Sequence, residues 1–159
     1  MTRFLVPNGW GASGFVTVIP ARDEEHRLPH ALDALARDGC VTDVLVVANG
    51  CSDATADVAW SGEAPLRVAL LETGTLPGGV GEARRMGMEA ALHAAPETGI
   101  LATTDADCRV GPNWGALTLA ALSRADVACG RIVPDPLEFA CLPALVRRHG
   151  RLRPRRRPC

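Results

Sequence analysis

Short apolar runs alternate with segments of helical periodicity along most of the chain. Five of these runs are almost continuously apolar, which is typical of strands that are buried on both faces of a sheet. The predicted strands cover residues 15–19, 41–48, 66–72, 100–104 and 125–133, and the predicted helices cover 24–37, 54–60, 82–95 and 112–123. This alternation predicts an α/β fold in which a mostly parallel sheet is covered by helices on both faces.

The length of 159 residues is enough for one domain with a hydrophobic core. We expect a flexible, Gly-rich arm over residues 1–14, a folded domain over 15–146 and a disordered basic tail over 147–159. The segment 137–148 still has a helical pattern. Seven of the 17 arginines lie between Arg147 and Arg157, where they alternate with Pro and Gly and leave little apolar surface to pack.

The charge distribution bears on the possible partners. All 18 acidic residues lie at or before Glu138. An acidic body with few aromatic residues does not resemble a nucleic-acid groove, so we expect no nucleic-acid partner. The Arg-rich tail could make peripheral contact with an anionic membrane. Six cysteines without metal-type spacing, and no secretory leader, predict free thiols and a cytoplasmic location.

Polar loops follow three of the predicted strands, where a parallel sheet binds its ligands. These loops are PARDEE (20–25), NGCSD (49–53) and TTDADC (103–108). Alternate residues of an extended segment point to the same side, so Asp105 and Asp107 can converge on one hard cation. Such an ion would bridge the oxygens of a diphosphate. The alternative is a polar turn that caps the next helix.

The other motifs also allow two interpretations. The acidic residues of PARDEE could favour the positive end of a helix, with Asp23 as its cap, although this does not explain the preceding PAR. NGCSD could be a tight turn or a contact to a base and ribose. The glycine-rich segment 77–87 could bind a dinucleotide, but no GxGxxG spacing fits, and contacts of Arg84 and Arg85 to a diphosphate explain it better. Cys108 has no neighbouring His, which disfavours a thiol nucleophile.

Four segments in this order, VTVIPARDEE, VVANGCSDAT, GVGEARRMGMEAA and TTDADC, resemble the family-two inverting glycosyltransferases with the A-type nucleotide-diphospho-sugar transferase fold. The resemblance covers residues 15–133 and implies a Rossmann-like domain that binds a nucleotide-diphospho-sugar donor with Mn or Mg. It implies nucleotide-sugar contacts at Pro20, Ala21, Asp23, Glu24, Asn49, Arg84 and Asp105. It also implies metal ligands at Asp105 and Asp107.

The chain departs from this family in two ways. Ala48 and Asn49 stand where many members have paired aspartates, and an Asn offers both a donor and an acceptor, so the base of the donor stays open. Family members also continue into an acceptor-binding part that carries the catalytic base. Only 52 residues follow Asp107, so we expect this part to be missing and name no base.

The resemblance implies transfer of the sugar to the hydroxyl of an unknown acceptor, with inversion at the anomeric carbon. One alternative is a non-catalytic module that binds sugar nucleotides. Another is a nucleotidyltransferase of related fold, but this would need a glycine-rich loop after the first predicted strand. PARDEE occupies that place.

Overall fold

A computed structural model describes residues 2–61 and 65–134. Up to Arg124 it forms one unit, which contains five strands and four helices among the described residues. In chain order the elements are β1 (Arg3–Leu5), β2 (Phe15–Ala21), α1 (Leu28–Asp38), β3 (Asp43–Asn49), α2 (Thr55–Trp60), β4 (Arg67–Thr73), α3 (Gly79–Ala94), β5 (Ile100–Thr103) and α4 (Trp114–Leu122).

The strands form one sheet in the order β1-β4-β3-β2-β5. β4, β3, β2 and β5 are parallel, and β1 pairs antiparallel with β4 at the edge. Every residue of β2 and β3 is buried, as their continuous apolar runs predict. The predicted α/β fold with a mostly parallel sheet is therefore confirmed.

Helices cover both faces of the sheet. α1 and α2 pack on one face, where Leu28 and Leu35 join Ile19 and Val46 in a hydrophobic cluster. α3 packs on the other face against β2 and β3. Gly87 lets α3 approach closely, because a Cβ on this residue would lie within 2.6 Å of side-chain atoms of two sheet residues. This packing fixes where α3 meets the carboxyl ends of the strands.

The N-terminal segment is more ordered than the flexible arm that the sequence predicts. Arg3–Leu5 add β1 to the sheet, and the buried Trp10 donates a hydrogen bond from its indole nitrogen to the carbonyl of Val44 at 3.0 Å. The N-terminal segment is ordered by contacts with residues more than 30 positions away in the sequence. A prediction made from these 14 residues alone does not include such contacts.

Two local predictions are wrong. Residues 125–133 form no strand: the described residues 125–134, which belong to a second unit, contain neither strand nor helix. Val127 and Ile132 are 76% and 78% exposed. An apolar run forms a strand only where a neighbouring strand is available to pair with it. Asp23 does not cap α1, which begins at Leu28 with Arg27 at the cap position.

The predicted helix over 137–148, the end of the predicted domain at residue 146 and the basic tail over 147–159 lie outside the described residues. Within the described part, no helix combines the length and apolar character needed to cross a membrane.

Candidate functional site

A cleft of about 330 Å³ opens at the carboxyl ends of β2, β3 and β5, beside the start of α3. It is lined by Pro20, Ala21, Arg22, Glu24, Asn49, Gly79, Val80, Ala83, Arg84, Asp105, Ala106 and Asp107. Seven of the eight predicted site residues are in this lining, and Asp23 is not. The three loops therefore meet as the parallel arrangement predicts.

Arg84 connects α3 to the segment that follows β5. Its Nε donates a hydrogen bond to Oγ1 of Thr103 at 3.1 Å, and its Nη2 donates to Oδ1 of Asp105 at 2.5 Å. The side chains of Arg84 and Asp105 are 30% and 42% exposed. Because two hydrogen bonds orient the guanidinium, Arg84 faces the cleft in a fixed position and also offers charge to an anion there.

Asp105, Asp107 and Cys108 form a cluster in which one ligand atom of each residue lies within 4.8 Å of the others. The two carboxylates suit a hard cation such as Mn²⁺ or Mg²⁺, which prefers oxygen ligands. The thiol does not, because burial, followed by the negative charge of Asp107, raises the pKa of Cys108. The donor set therefore fits a hard divalent ion on the two aspartates.

Asn49 ends β3 and is only 3% exposed. Its Oδ1 accepts a hydrogen bond from the backbone N–H of Leu76 at 2.9 Å. This bond ties the end of β3 to the loop that leads into α3. The next residue, Gly50, adopts a positive φ of 61° and approaches Thr75 so closely that a Cβ would lie 2.3 Å from its hydroxyl oxygen.

The PARDEE and NGCSD loops are joined by hydrogen bonds in both directions. Asp23 accepts from the backbone and hydroxyl of Ser52 at 2.7 and 3.0 Å. Asp53 accepts from the backbone of Glu25 at 3.0 Å, and the Glu25 carboxylate accepts from the backbone of Ala54 at 2.9 Å. These carboxylates hold the two loops together at the rim of the site.

Asp23 is part of this connection and has an unusual backbone conformation. Its φ of 54° lies in the left-handed region, which Asp tolerates better than most residues. Hydrogen bonds from the backbone and then the hydroxyl of Ser52 lower the pKa of its carboxyl. A nucleotide contact by Asp23 stays a prediction, whereas Glu24 does line the cleft and also pairs with Arg27 at 3.2 Å.

Five lining residues were not selected from the sequence: Arg22, Gly79, Val80, Ala83 and Ala106. Arg22 is the informative one, because it is exposed and no hydrogen bond or ion pair engages it among the described residues. The sequence pointed to Arg22 only through the residues PAR (20–22), which the capping role of the following acidic residues does not explain. The cleft thus has one guanidinium paired with Asp105 and a second one available to a ligand.

The family of the chain follows from a sequence comparison. The model of the family described as "Glycosyl transferase family 2" matches residues 16–140. This is most of the chain. The protein belongs to glycosyl transferase family 2. The resemblance proposed from the four segments is therefore confirmed. No curated protein sequence is similar enough to count as a match.

Solved structures share the family 2 fold of this chain. The structure of S. aureus TarS 1-349 has a TM-score of 0.55 and 23% identity, over 76% of this chain and 38% of that one. The same protein in complex with UDP has a TM-score of 0.54 and 20% identity, with the same shares covered. The present chain thus spans 38% of the length of these TarS chains. At this identity the likeness shows the fold.

Proposed function

We propose that the cleft is the donor site of a family 2 glycosyltransferase and that it binds a nucleotide-diphospho-sugar. The observation that carries the proposal is the convergence of an acidic pair and two guanidinium groups at the carboxyl edge of the sheet. Asp105 and Asp107 suit a hard divalent ion, Mn²⁺ or Mg²⁺, and Arg22 and Arg84 suit the diphosphate oxygens.

The sheet order supports one direction for the nucleotide in the cleft. Asp105 and Asp107 follow β5, which is at the edge of the sheet formed by the described residues, and β2 and β3 lie to one side of it. A diphosphate at the aspartates therefore leaves the nucleoside to extend along the ends of β2 and β3. Pro20 and Ala21 end β2, and Asn49 ends β3. These residues line the part of the cleft that the nucleoside would occupy.

The reaction proposed for this site is attack by an acceptor hydroxyl on the anomeric carbon. The new bond to the acceptor oxygen forms opposite the breaking bond to the diphosphate, which inverts the configuration. The hydroxyl proton passes to a base, which is not assigned, and the nucleoside diphosphate leaves. A bound divalent ion would neutralise charge on the leaving group. Arg22 and Arg84 would add charge-assisted hydrogen bonds to the same oxygens.

Two comparisons support the proposal. The chain belongs to family 2, and a protein of the same fold was solved in complex with UDP. Because the chain spans 38% of the TarS chains it matches, donor binding is proposed for the cleft and sugar transfer for the whole protein.

A thermal-shift screen tests the donor site. Nucleoside diphosphates and nucleotide sugars are added with and without MnCl2, and a ligand at a hundredfold excess over its dissociation constant stabilises the folded state by about 2.7 kcal/mol. We expect at least one of them to raise the melting temperature in a Mn-dependent way. Asp107→Asn should remove the Mn dependence, whereas Asp33→Asn, which removes the same charge on α1, should preserve it.

Two outcomes would count against the proposal. No shift with any nucleotide would contradict the donor site, and an intact Mn dependence in Asp107→Asn would contradict the metal assignment. Release of nucleoside diphosphate from a bound sugar nucleotide is measured in the same samples. Binding without such release would favour a non-catalytic sugar-nucleotide-binding module.

A further inference from the structure

We propose that Asn49 selects the nucleobase of the donor, and that it favours bases whose Watson–Crick ring nitrogen accepts a hydrogen bond. These bases are cytosine and adenine, in preference to uracil and guanine. This inference rests on the proposed donor site and adds to it the chemical class of the base.

The orientation of the Asn49 amide is set by its partner. The backbone N–H of Leu76 is a donor, and only the carbonyl oxygen of the Asn49 side chain can accept from it, at 2.9 Å. The amide nitrogen must then occupy the other branch of the side chain. Because Asn49 is 97% buried and lies between the ends of neighbouring strands, it has little room to rotate.

The amide nitrogen has no hydrogen-bond partner within residues 2–61 and 65–134. It is also not sealed off, because the fully buried side-chain polar atoms without a partner there are the hydroxyls of Thr17 and Thr98. Asn49 lines the cleft, so the cleft is the space from which a ligand can offer this amide nitrogen an acceptor. A buried donor without a partner is expensive, and a ligand acceptor would satisfy it.

The position of Asn49 suits the base. The aspartates follow β5 and Asn49 ends β3, with β2 between them. Two strand spacings separate these ends by roughly 10 Å. This is about the distance from a diphosphate across the ribose to the base, so a diphosphate at the aspartates brings the base toward Asn49.

Asn49 offers this base donors only, because its oxygen is engaged by Leu76. N3 of cytosine and N1 of adenine are acceptors and can receive the amide hydrogen. N3 of uracil and N1 of guanine carry a hydrogen, which would face the amide hydrogens of Asn49. Two opposed donors leave both unsatisfied. This corresponds to an affinity about tenfold or more higher for cytosine than for uracil, and for adenine than for guanine.

Asn49→Asp separates this role from a structural one. The carboxylate can still accept from Leu76, so the loop contact remains, but the groups that face the cleft change from donors to acceptors. The preference should then reverse toward UDP and GDP. Asn113→Asp is the matched control, because it adds the same charge at an exposed position before α4 that already has a positive φ.

Isothermal titration calorimetry with CDP, UDP, ADP and GDP in saturating MnCl2 tests the inference. We expect CDP to bind more tightly than UDP and ADP more tightly than GDP in the wild type and in Asn113→Asp, and the reverse in Asn49→Asp. Equal or opposite ranking in the wild type overturns the inference, and so does an unchanged ranking in Asn49→Asp. If that variant does not fold, the wild-type ranking decides.

These outcomes are distinct from failure of the donor site. Binding of any of the four nucleotides with the wrong ranking leaves the proposed function intact and removes the role of Asn49. No binding of any of the four to the folded wild type overturns both.

Discussion

Arg84 of α3 donates a hydrogen bond to Asp105 at 2.5 Å and so links a helix to the segment that follows β5. Both residues line the cleft. The link means that one of the proposed metal ligands is positioned by one of the proposed phosphate ligands. Substitutions at either residue should therefore affect donor binding more than folding.

Arg84→Gln should weaken Mn-dependent binding of a nucleoside diphosphate by about tenfold or more, because it removes a charge-assisted contact and frees Asp105. The free energy of unfolding should change by less than about 1 kcal/mol, since the pair is partly exposed. Calorimetry and urea unfolding measure the two effects. Arg85→Gln is the control, because Arg85 pairs with Glu89 on the same helix and does not line the cleft. Equal weakening in both variants would contradict a specific role for Arg84.

Cys108→Ser should leave the Mn-dependent thermal shift intact. The thiol lies in the same cluster as Asp105 and Asp107, but its raised pKa keeps it protonated near neutral pH, and a hard ion prefers the carboxylates. The thermal shift with Mn and a nucleoside diphosphate is compared with that of the wild type. Loss of the Mn dependence in this variant would show that the sulfur is a ligand.

The sequence predicted the sheet, its parallel strands and most of the cleft for a physical reason. Buried parallel strands have a continuous apolar pattern, and their carboxyl ends lie on one edge, so the loops after β2, β3 and β5 had to meet. Arg84 and Asp105 could be named without knowing any contact, from local pattern combined with a rule of topology. The role of Asn49 followed from the resemblance to the family.

The missed features depend on contacts between distant residues. Asp23 has the sequence context of a helix cap, yet it bonds to Ser52, 29 residues away, in a left-handed conformation. Trp10 is buried through a bond to Val44. A pattern within ten residues contains none of these partners.

Asp23→Ala should lower the melting temperature more than Asp23→Asn. Asn can still accept from Ser52 and tolerates a positive φ, whereas Ala loses the two hydrogen bonds and is strained at φ 54°. Differential scanning calorimetry compares the two variants. Donor affinity in Asp23→Asn, measured by titration, shows whether the residue also contacts the nucleotide. Equal melting temperatures would show that neither the bonds nor the conformation matters.

Gly87→Ala should destabilise the fold by about 1–3 kcal/mol, because a Cβ would lie 2.5 Å from Val18 and 2.6 Å from Val47 and would push α3 from the sheet. Gly81→Ala, on the same helix, is the matched control. Its Cβ would meet nothing within 4 Å, so it should stabilise the helix by about 0.5–1 kcal/mol. Urea unfolding measures both. A neutral effect at Gly87 would contradict the close packing of α3.

Asp43 should give the fold a stability that disappears in acid. It is fully buried, and its carboxylate accepts from Arg67 at 2.7 and 2.9 Å and from the hydroxyl of Ser13. Burial alone would raise its pKa, but the hydrogen bonds from Arg67 and then Ser13 outweigh it and hold the pKa below the usual 3.8. A carboxyl with a lowered pKa in the folded state stabilises above the unfolded-state pKa, and this contribution is lost as pH falls through the folded-state value.

Asp43→Asn should therefore be less stable than the wild type by about 2 kcal/mol at pH 7, a value reduced from that of a fully buried pair because the Arg67 side chain is 35% exposed. The difference should persist from pH 7 to 5 and narrow below about pH 4, because there the carboxyl of the unfolded wild type begins to protonate while that of the folded state stays ionised. Urea unfolding at several pH values measures it, with the exposed Asp33→Asn as control. A difference that stays constant down to pH 3 would mean that the charge of Asp43 does not hold β3, β4 and the N-terminal segment together.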